Sequence, residues 1–547
     1  MSGLLDSLGL GLRVPEALAF RPEPLWIGDA AAARRLMDGR FRFAGQEVRA
    51  KDLGPWRLTP PSAAFAAALH GFAWLDDLAA AGTREARRVA QSWLFGWIAQ
   101  FGDGAGPGWA PETAGIRATA WMERADFVLR DASADLERRF LRALAIHERR
   151  LRKGMDSAPE GLARLRAAAG HLNCTLALHA EDGARRAAAR RLAAAASLAV
   201  NEDGGLNSRA PERLCEALIA LAAAARHLRD AGLEPEPDHA AAIARAQSAL
   251  RALRMRDGGL PRFHGGGTGA AGRLDHALSL AHPRKAPPPR DRAMGFVRLA
   301  AGRATVVVDA ARPPATPLAH ASTLGFELAW GALRPIVNCG PAGEASGDWG
   351  AACRATAAQS SLSLEGVSSA RIAPSARGPG PHPFGEGPRE VEAETAQDAE
   401  GSWFLGAHDG YLGSHGLVHR RRLFLSHDGR DFRGEDVLES PDAAARKRFE
   451  RAAKAHPETG AGLAFSAHFH LHPEVQATAR PDGSVTLALD GTRWTFTVNG
   501  GEARLRDSVY FEPEQTDPRA TKQVVVSARA VEYGGRVSWG LRLGDPA

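Results

Sequence analysis

Pro283-Arg-Lys-Ala-Pro-Pro-Pro-Arg290 separates two stretches with different hydrophobic periods. Three consecutive prolines cannot continue a helix and favour an extended spacer. On the N-terminal side, from about Ala63 to Arg254, the period is helical. Phe65, Leu69, Phe72, Leu75 and Leu78 recur at i, i+3, i+4 and i+7 spacing. Further helices are predicted over Glu85–Phe101, Ala114–Arg130, Leu136–Arg152, Gly161–His179, Ala184–Val200, Pro211–Arg229 and Ala240–Arg254. Short turns between them predict antiparallel helical hairpins. On the C-terminal side the period becomes two. Strands are predicted at Ala304–Asp309, Leu417–Leu425, Leu463–Leu471, Val485–Leu489, Trp494–Val498, Val524–Val531 and Val537–Leu543. Turn pairs Asp428-Gly429, Asp482-Gly483 and Asn499-Gly500 fall between them. The expected fold class is α+β multidomain, with helical hairpins followed by an antiparallel β-sandwich. The expected domains are an N-terminal extension (1–55), a helical domain (56–282), the spacer (283–290) and the sandwich (291–547).

A chain of 547 residues has room for two to four domains. Its 24% charged and 44% hydrophobic residues are ordinary for a globular protein and argue against disorder or coiled coil. Of 69 Lys plus Arg, only six are lysine. Arginine favours planar bidentate contacts with carboxylate, sulfate or phosphate, which fits an acidic ligand. Genome composition accounts for the same bias. The four cysteines make no Cys-x-x-Cys pair, so neither a zinc module nor a disulfide scaffold is expected. The N-terminus has no basic n-region and carries Asp6 within its apolar stretch, so cytoplasmic localisation is expected. No membrane span and no nucleic-acid module is expected.

Asp203-Gly-Gly-Leu206 recurs as Asp257-Gly-Gly-Leu260, each after a helix. Equivalent loops on one side of a ring of hairpins and two independent Gly-rich helix ends are both consistent with this spacing.

Several motifs in this order resemble the heparinase II/III-like family. They are Leu69-His-Gly-Phe-Ala-Trp-Leu75, Asp203-Gly-Gly-Leu-Asn-Ser-Arg-Ala-Pro-Glu212 and Asp257-Gly-Gly-Leu-Pro-Arg-Phe-His-Gly265 in the helical half. In the sandwich half they are Leu318–Glu327, Ile336–Pro341, Arg354–Leu362, His408-Asp-Gly-Tyr411, His419-Arg-Arg421 and His468–Pro473. The resemblance implies an incomplete α/α toroid for the hairpins. It also implies polysaccharide-lyase chemistry, β-elimination on a uronic-acid-containing polysaccharide, and sites in the periplasm or cell envelope. That reaction needs the sugar carboxylate neutralised, a base for the α proton and an acid for the departing oxygen.

The chain departs from the family pattern at its reactive positions. The family's catalytic His is Leu318. Its three metal-ligand positions read His320, Asn338 and Gln359. Neutral amides are poor zinc ligands, so no metal or other cofactor is expected, and Asn338 and Gln359 are expected to hydrogen-bond His320 instead. The only tyrosines are Tyr411, Tyr510 and Tyr533, all in the sandwich half, so the family's helical-domain phenol is missing. Asn207, His264 and His419 are the remaining candidates for catalysis. Arg209, Arg354, Tyr411 and Arg421 are the candidates for holding an acidic polysaccharide or oligosaccharide. Five of these have a structural alternative: loop solvation and an N-cap for the helix near Pro211 for Asn207 and Arg209, an exposed loop histidine for His264, and a solvated strand face paired with Glu435 or Asp436 for His419 and Arg421. His468, His470 and His472 share one face of a strand, a spacing that binds metal only with a further ligand. The alternative to a lyase is a catalytically degenerate glycan-binding or envelope-assembly protein on the same scaffold.

Overall fold

The computed structural model describes residues 12–50, 54–281, 292–342, 346–372, 382–455, 462–512 and 515–544. The proline spacer 283–290 lies outside them. The chain forms two compact units; one boundary, at 284/285, falls within the spacer, and four others precede it. One unit comprises Met1–Glu202, Glu216–Gln247 and His276–Arg284; the other comprises Asp203–Cys215, Ser248–Asp275 and Lys285–Ala547. Both Asp-Gly-Gly loops therefore belong with the sandwich.

The helical unit is built from helices that include Arg84–Phe101, Pro111–Glu123, Ala134–Gly154, Leu162–Leu178 and Asp182–Ala199. Thr83 and Ser133 cap two of them, accepting the N–H groups of Ala86 and Leu136. Two predicted helices are each broken in two. Phe72 takes a left-handed φ of 61° and closes the helix Ala63–Gly71, so that Leu75–Ala80 begins a new one. Arg124 leaves helical geometry between Pro111–Glu123 and Ala125–Leu129, where its guanidinium reaches Asp76 at 2.7 Å. Pro111–Glu123 and Leu162–Leu178 pack backbone to backbone: a Cβ on Gly170 would lie 2.3 Å from the Cα of Gly115. Arg117 is fully buried without a carboxylate. It donates to His70 O, Gly108 O and His147 Nε2 and lies 4.0 Å from the Trp97 ring centre, so carbonyl dipoles and a π face offset its lost hydration. The expected N-terminal extension also holds a small hairpin, Arg40–Phe43 with Gln46–Arg49.

The sandwich unit holds two large antiparallel sheets. Across the first, the order is Val391–Gln397, Gly401–Tyr411, Leu417–Ser426, Asp431–Glu439, Gly534–Leu543, Thr492–Asn499, Val485–Leu489 and Gln476–Ala479. Across the second it is Glu502–Tyr510, Arg519–Ala530, Leu463–Leu471, Leu333–Val337, Phe326–Trp330, Ala304–Asp309, Phe296–Ala301 and Arg292–Ala293. Leu362–Leu364 joins the second sheet beside Leu463–Leu471. The shared core contains Phe326, Phe432, Phe469, Phe496 and Trp539, with Phe326 stacked on Trp539 at 5.7 Å. Every predicted strand is present. Asn499-Gly500 is not a hairpin turn: Thr492–Asn499 belongs to the first sheet and Glu502–Tyr510 to the second, where Glu502 pairs with Ser527. Asp431–Glu439 escaped the period-two reading because it carries a glycine and a buried aspartate. Gly434 lies under Trp539, where a Cβ would meet the indole at 2.1 Å, and Asp436 is fully buried.

Candidate functional site

The candidate residues of the sandwich unit gather on two buried aspartates. Asp309 ends the apolar strand Ala304–Asp309 and is fully buried. Arg209 meets it at 2.5 Å and also donates to the carbonyls of Met294 (2.8 Å), Gly295 (3.0 Å) and Arg312 (2.7 Å). Ser322 donates to the other carboxylate oxygen at 2.6 Å. His264 Nε2 stands 3.3 Å from that same oxygen, too poorly aligned for a hydrogen bond. Burial raises the pKa of Asp309, but Arg209, His264 and Ser322 more than offset this and hold it well below the usual carboxylate range. His264 is therefore no exposed loop histidine. It is fully buried, and burial lowers its pKa despite the pull of Asp309. Arg209 ties the first Asp-Gly-Gly loop to the sandwich strands instead of facing solvent. Asn207 is exposed and stands apart from this cluster.

The second aspartate is Asp436. Arg421 grips it with two N–H groups, Nε to Oδ1 at 2.7 Å and Nη2 to Oδ2 at 3.1 Å. His419 Nε2 lies 2.8 Å from Oδ1, and Trp539 donates to Oδ2 at 3.1 Å. His419 Nδ1 lies 3.2 Å from His408 Nε2, and His408 Nδ1 accepts the N–H of Gly410. One set of neutral tautomers satisfies this whole chain: Gly410 N–H to His408, His408 to His419, His419 to Asp436. Burial raises the pKa of Asp436, yet Arg421 and His419 hold it well below the carboxylate range; burial lowers both histidines. His419 and Arg421 do share a strand face and do pair with Asp436. That face is not solvated, since all three residues have 0% exposure. Leu324 links the two clusters: its N–H donates to Asp309 O at 2.7 Å and its carbonyl accepts Arg421 at 2.7 Å.

Arg354 and Tyr411 are internal as well. Arg354 donates to Ala319 O (2.9 Å) and His382 O (2.6 Å), with its guanidinium 4.7 Å from the Phe384 ring centre. Tyr411 is fully buried, donates to Leu362 O at 2.8 Å, and burial raises its pKa. The second Asp-Gly-Gly loop is fastened by Arg334, which holds Asp257 bidentately at 2.7 and 2.8 Å and reaches buried Glu327 at 3.2 Å.

The family's metal positions do not suit zinc here. His320 is buried, burial keeps its ring neutral, and its two nitrogens face the N–H groups of His264 (3.2 Å) and Gly265 (3.1 Å). A neutral imidazole accepts at one nitrogen, so one of these is a close contact only. Asn338 and Gln359 do not bond to His320 as expected. Asn338 Oδ1 accepts from Ser360 N–H, and Gln359 Nε2 donates to Cys353 O, which leaves Asn338 Nδ2 and Gln359 Oε1 without hydrogen-bond partners. Among the described residues no group of three His, Cys, Asp or Glu converges on a metal position. His468 and His470 are spent on protein partners: His468 on Ser363 and Gln523, His470 on Ser508, Cys339 and the Ala357 carbonyl.

Of the anions that organise the site, sequence reasoning named only Asp436, as a partner on a solvated face, and missed Asp309 and Glu327. Asp309, Glu327 and Asp436 are acids inside otherwise apolar or pleated strand segments. Such a position requires a buried cation, and that is the signal that could have found them.

A sequence model described as Heparinase II/III-like, C-terminal matches residues 283–540. FtsZ-localized protein C of Caulobacter vibrioides is 31% identical over 553 residues, spanning 98% of this chain and 92% of that protein. The crystal structure of heparinase III superposes with a TM-score of 0.71 at 12% identity, over 96% of this chain and 86% of that one. A heparan sulfate lyase HepC mutant from Pedobacter heparinus gives 0.61 at 14%, over 99% and 87%. At these identities the two structures speak for the fold, an α/α toroid with a β-sandwich.

Proposed function

Because the chain belongs to the heparinase II/III-like family and has its polysaccharide-lyase scaffold, we propose that its role turns on what has become of the reactive groups. The protein is a non-cleaving binding and assembly protein on that scaffold, localising with FtsZ. One observation carries this reading: the two candidate proton-transfer histidines are fully buried, His419 bonded to Asp436 and His264 set beside Asp309. A base for β-elimination must reach the α proton of a sugar in solvent-accessible space. The helical half has no tyrosine to supply one, and the family's catalytic histidine position is Leu318. The arginines meant for an acidic sugar, Arg209, Arg354 and Arg421, are likewise used inside the protein.

The FtsZ part of the proposal rests on the Caulobacter relative, whose name places it with FtsZ and whose sequence aligns over nearly the whole chain. A cytoplasmic location is part of the same proposal. Two measurements test the proposal. Incubation with heparan sulfate, alginate and hyaluronan is expected to yield no unsaturated uronate absorbance. A fluorescent fusion is expected to follow FtsZ. Turnover on any of these polymers that disappears in His264→Ala or His419→Ala would restore the lyase reading.

A further inference from the structure

The sandwich unit also carries an arginine-lined groove, bordered by the Phe384 ring and the Gly410 backbone described above. It encloses about 1140 Å³. Arg312, Arg371, Arg389 and Arg448 line it, and Arg312 and Arg389 are exposed. The two acids on its wall are already engaged. Glu386 pairs with Arg371 at 3.0 Å. One carboxylate oxygen of Asp409 accepts the N–H groups of Arg389 (2.7 Å) and Glu390 (3.1 Å). Arg312, Arg389 and Arg448 have no acidic partner among the described residues. Three such guanidiniums around one concavity set up a positive potential that favours an anionic occupant.

The wall of the groove indicates what kind of anion fits. It includes the ribbon Arg371–Ile372 with Phe384–Glu386, which is a sheet of two strands only. Each strand thus keeps one edge unpaired by any strand among the described residues. Unpaired N–H and C=O groups at strand spacing are a template for an added extended segment. The aromatic residue of the wall, Phe384, already holds the Arg354 guanidinium against its ring, which counts against a sugar-stacking platform. The volume exceeds that of a single small anion and suits several residues of polymer.

We infer that this groove binds an extended acidic peptide segment of a partner protein. Its backbone pairs with the ribbon edge and its carboxylates meet Arg312, Arg389 and Arg448. The inference deepens the binding and assembly reading by giving the partner's recognised segment a chemistry.

Fluorescence anisotropy of the full chain with a labelled dodecapeptide of alternating Glu and Thr tests it. The expected result is saturable binding that weakens as salt is raised. Arg389→Glu combined with Arg448→Glu should weaken it by about ten-fold or more, since each change replaces an attraction with a repulsion. Neither residue is in the core, and an unchanged circular dichroism spectrum verifies the fold. N-methylation of alternate peptide residues should weaken binding comparably by removing the pairing N–H groups. Absence of saturable binding, or binding unchanged in the double variant, overturns the inference. So does indifference to N-methylation, or a heparin-derived oligosaccharide that occupies the same arginines more tightly than the peptide. A negative result here leaves the turnover and FtsZ-colocalisation tests untouched, so the two proposals fail separately.

Discussion

Replacing Asp436 with asparagine changes few atoms and should cost much of the stability of the sandwich unit. The carboxylate receives two bonds from Arg421, one from His419 and one from Trp539, and all of it is buried. The amide keeps one acceptor oxygen and presents an NH2 group to donors that have nowhere else to turn. The Arg421 guanidinium keeps the carbonyls of Leu324 (2.7 Å) and Ser360 (2.8 Å) but loses its anion. Breaking a buried pair from one side costs about 3–5 kcal/mol, because an uncompensated charge stays behind. Set against a typical total of about 5–15 kcal/mol, that is a large fraction. Urea unfolding followed by tryptophan fluorescence reads it directly, since Trp539 touches the site. Asp436→Leu with Arg421→Met removes both charges and should recover most of the loss. A loss below about 1 kcal/mol for Asp436→Asn would refute the reasoning, because it would mean that the pair is not essential to this core. If Asp436 served instead to orient a catalytic His419, the same variant would retain its stability and change turnover.

Acid should unfold the helical unit well above the carboxylate range. Burial lowers His70, His227 and His239 to about 4 each, so between about 4 and 6.5 the unfolded chain binds protons that the folded one does not. Their contribution is fully present above 6.5 and is lost as pH falls through that window, at about 1.4 kcal/mol per pH unit for each histidine. A helical circular dichroism signal that stays native down to pH 4 would contradict this. Elemental analysis of gently purified protein should find no stoichiometric zinc, because Asn338 and Gln359 offer neutral amides where an anion and an imidazole are needed. About one zinc per chain, lost in His320→Ala, would overturn that expectation.

Local chemistry determined the larger divisions of this protein. The change from a 3.6-residue to a two-residue period, with prolines between, was enough to place helical hairpins before a sandwich, because burying one face leaves that trace in any window of a dozen residues. The missing tyrosine and the amides at 338 and 359 were equally legible, since an absent functional group needs no coordinates. What the tertiary structure decided was where the individual side chains go. Arg209, His264, His419 and Arg421 read equally well as ligand groups or surface charges until Asp309 and Asp436 were seen beneath them. Those partners lie 45 to 100 positions from Arg209 and His264, and 15 to 17 from Arg421 and His419. Their pairing follows from strand order and loop placement, which a periodic pattern does not encode. The same holds for the unit boundary: the Asp-Gly-Gly loops follow helices in sequence, yet Arg209 and Asp257 fasten them to sandwich strands through ion pairs that only the assembled fold brings within reach.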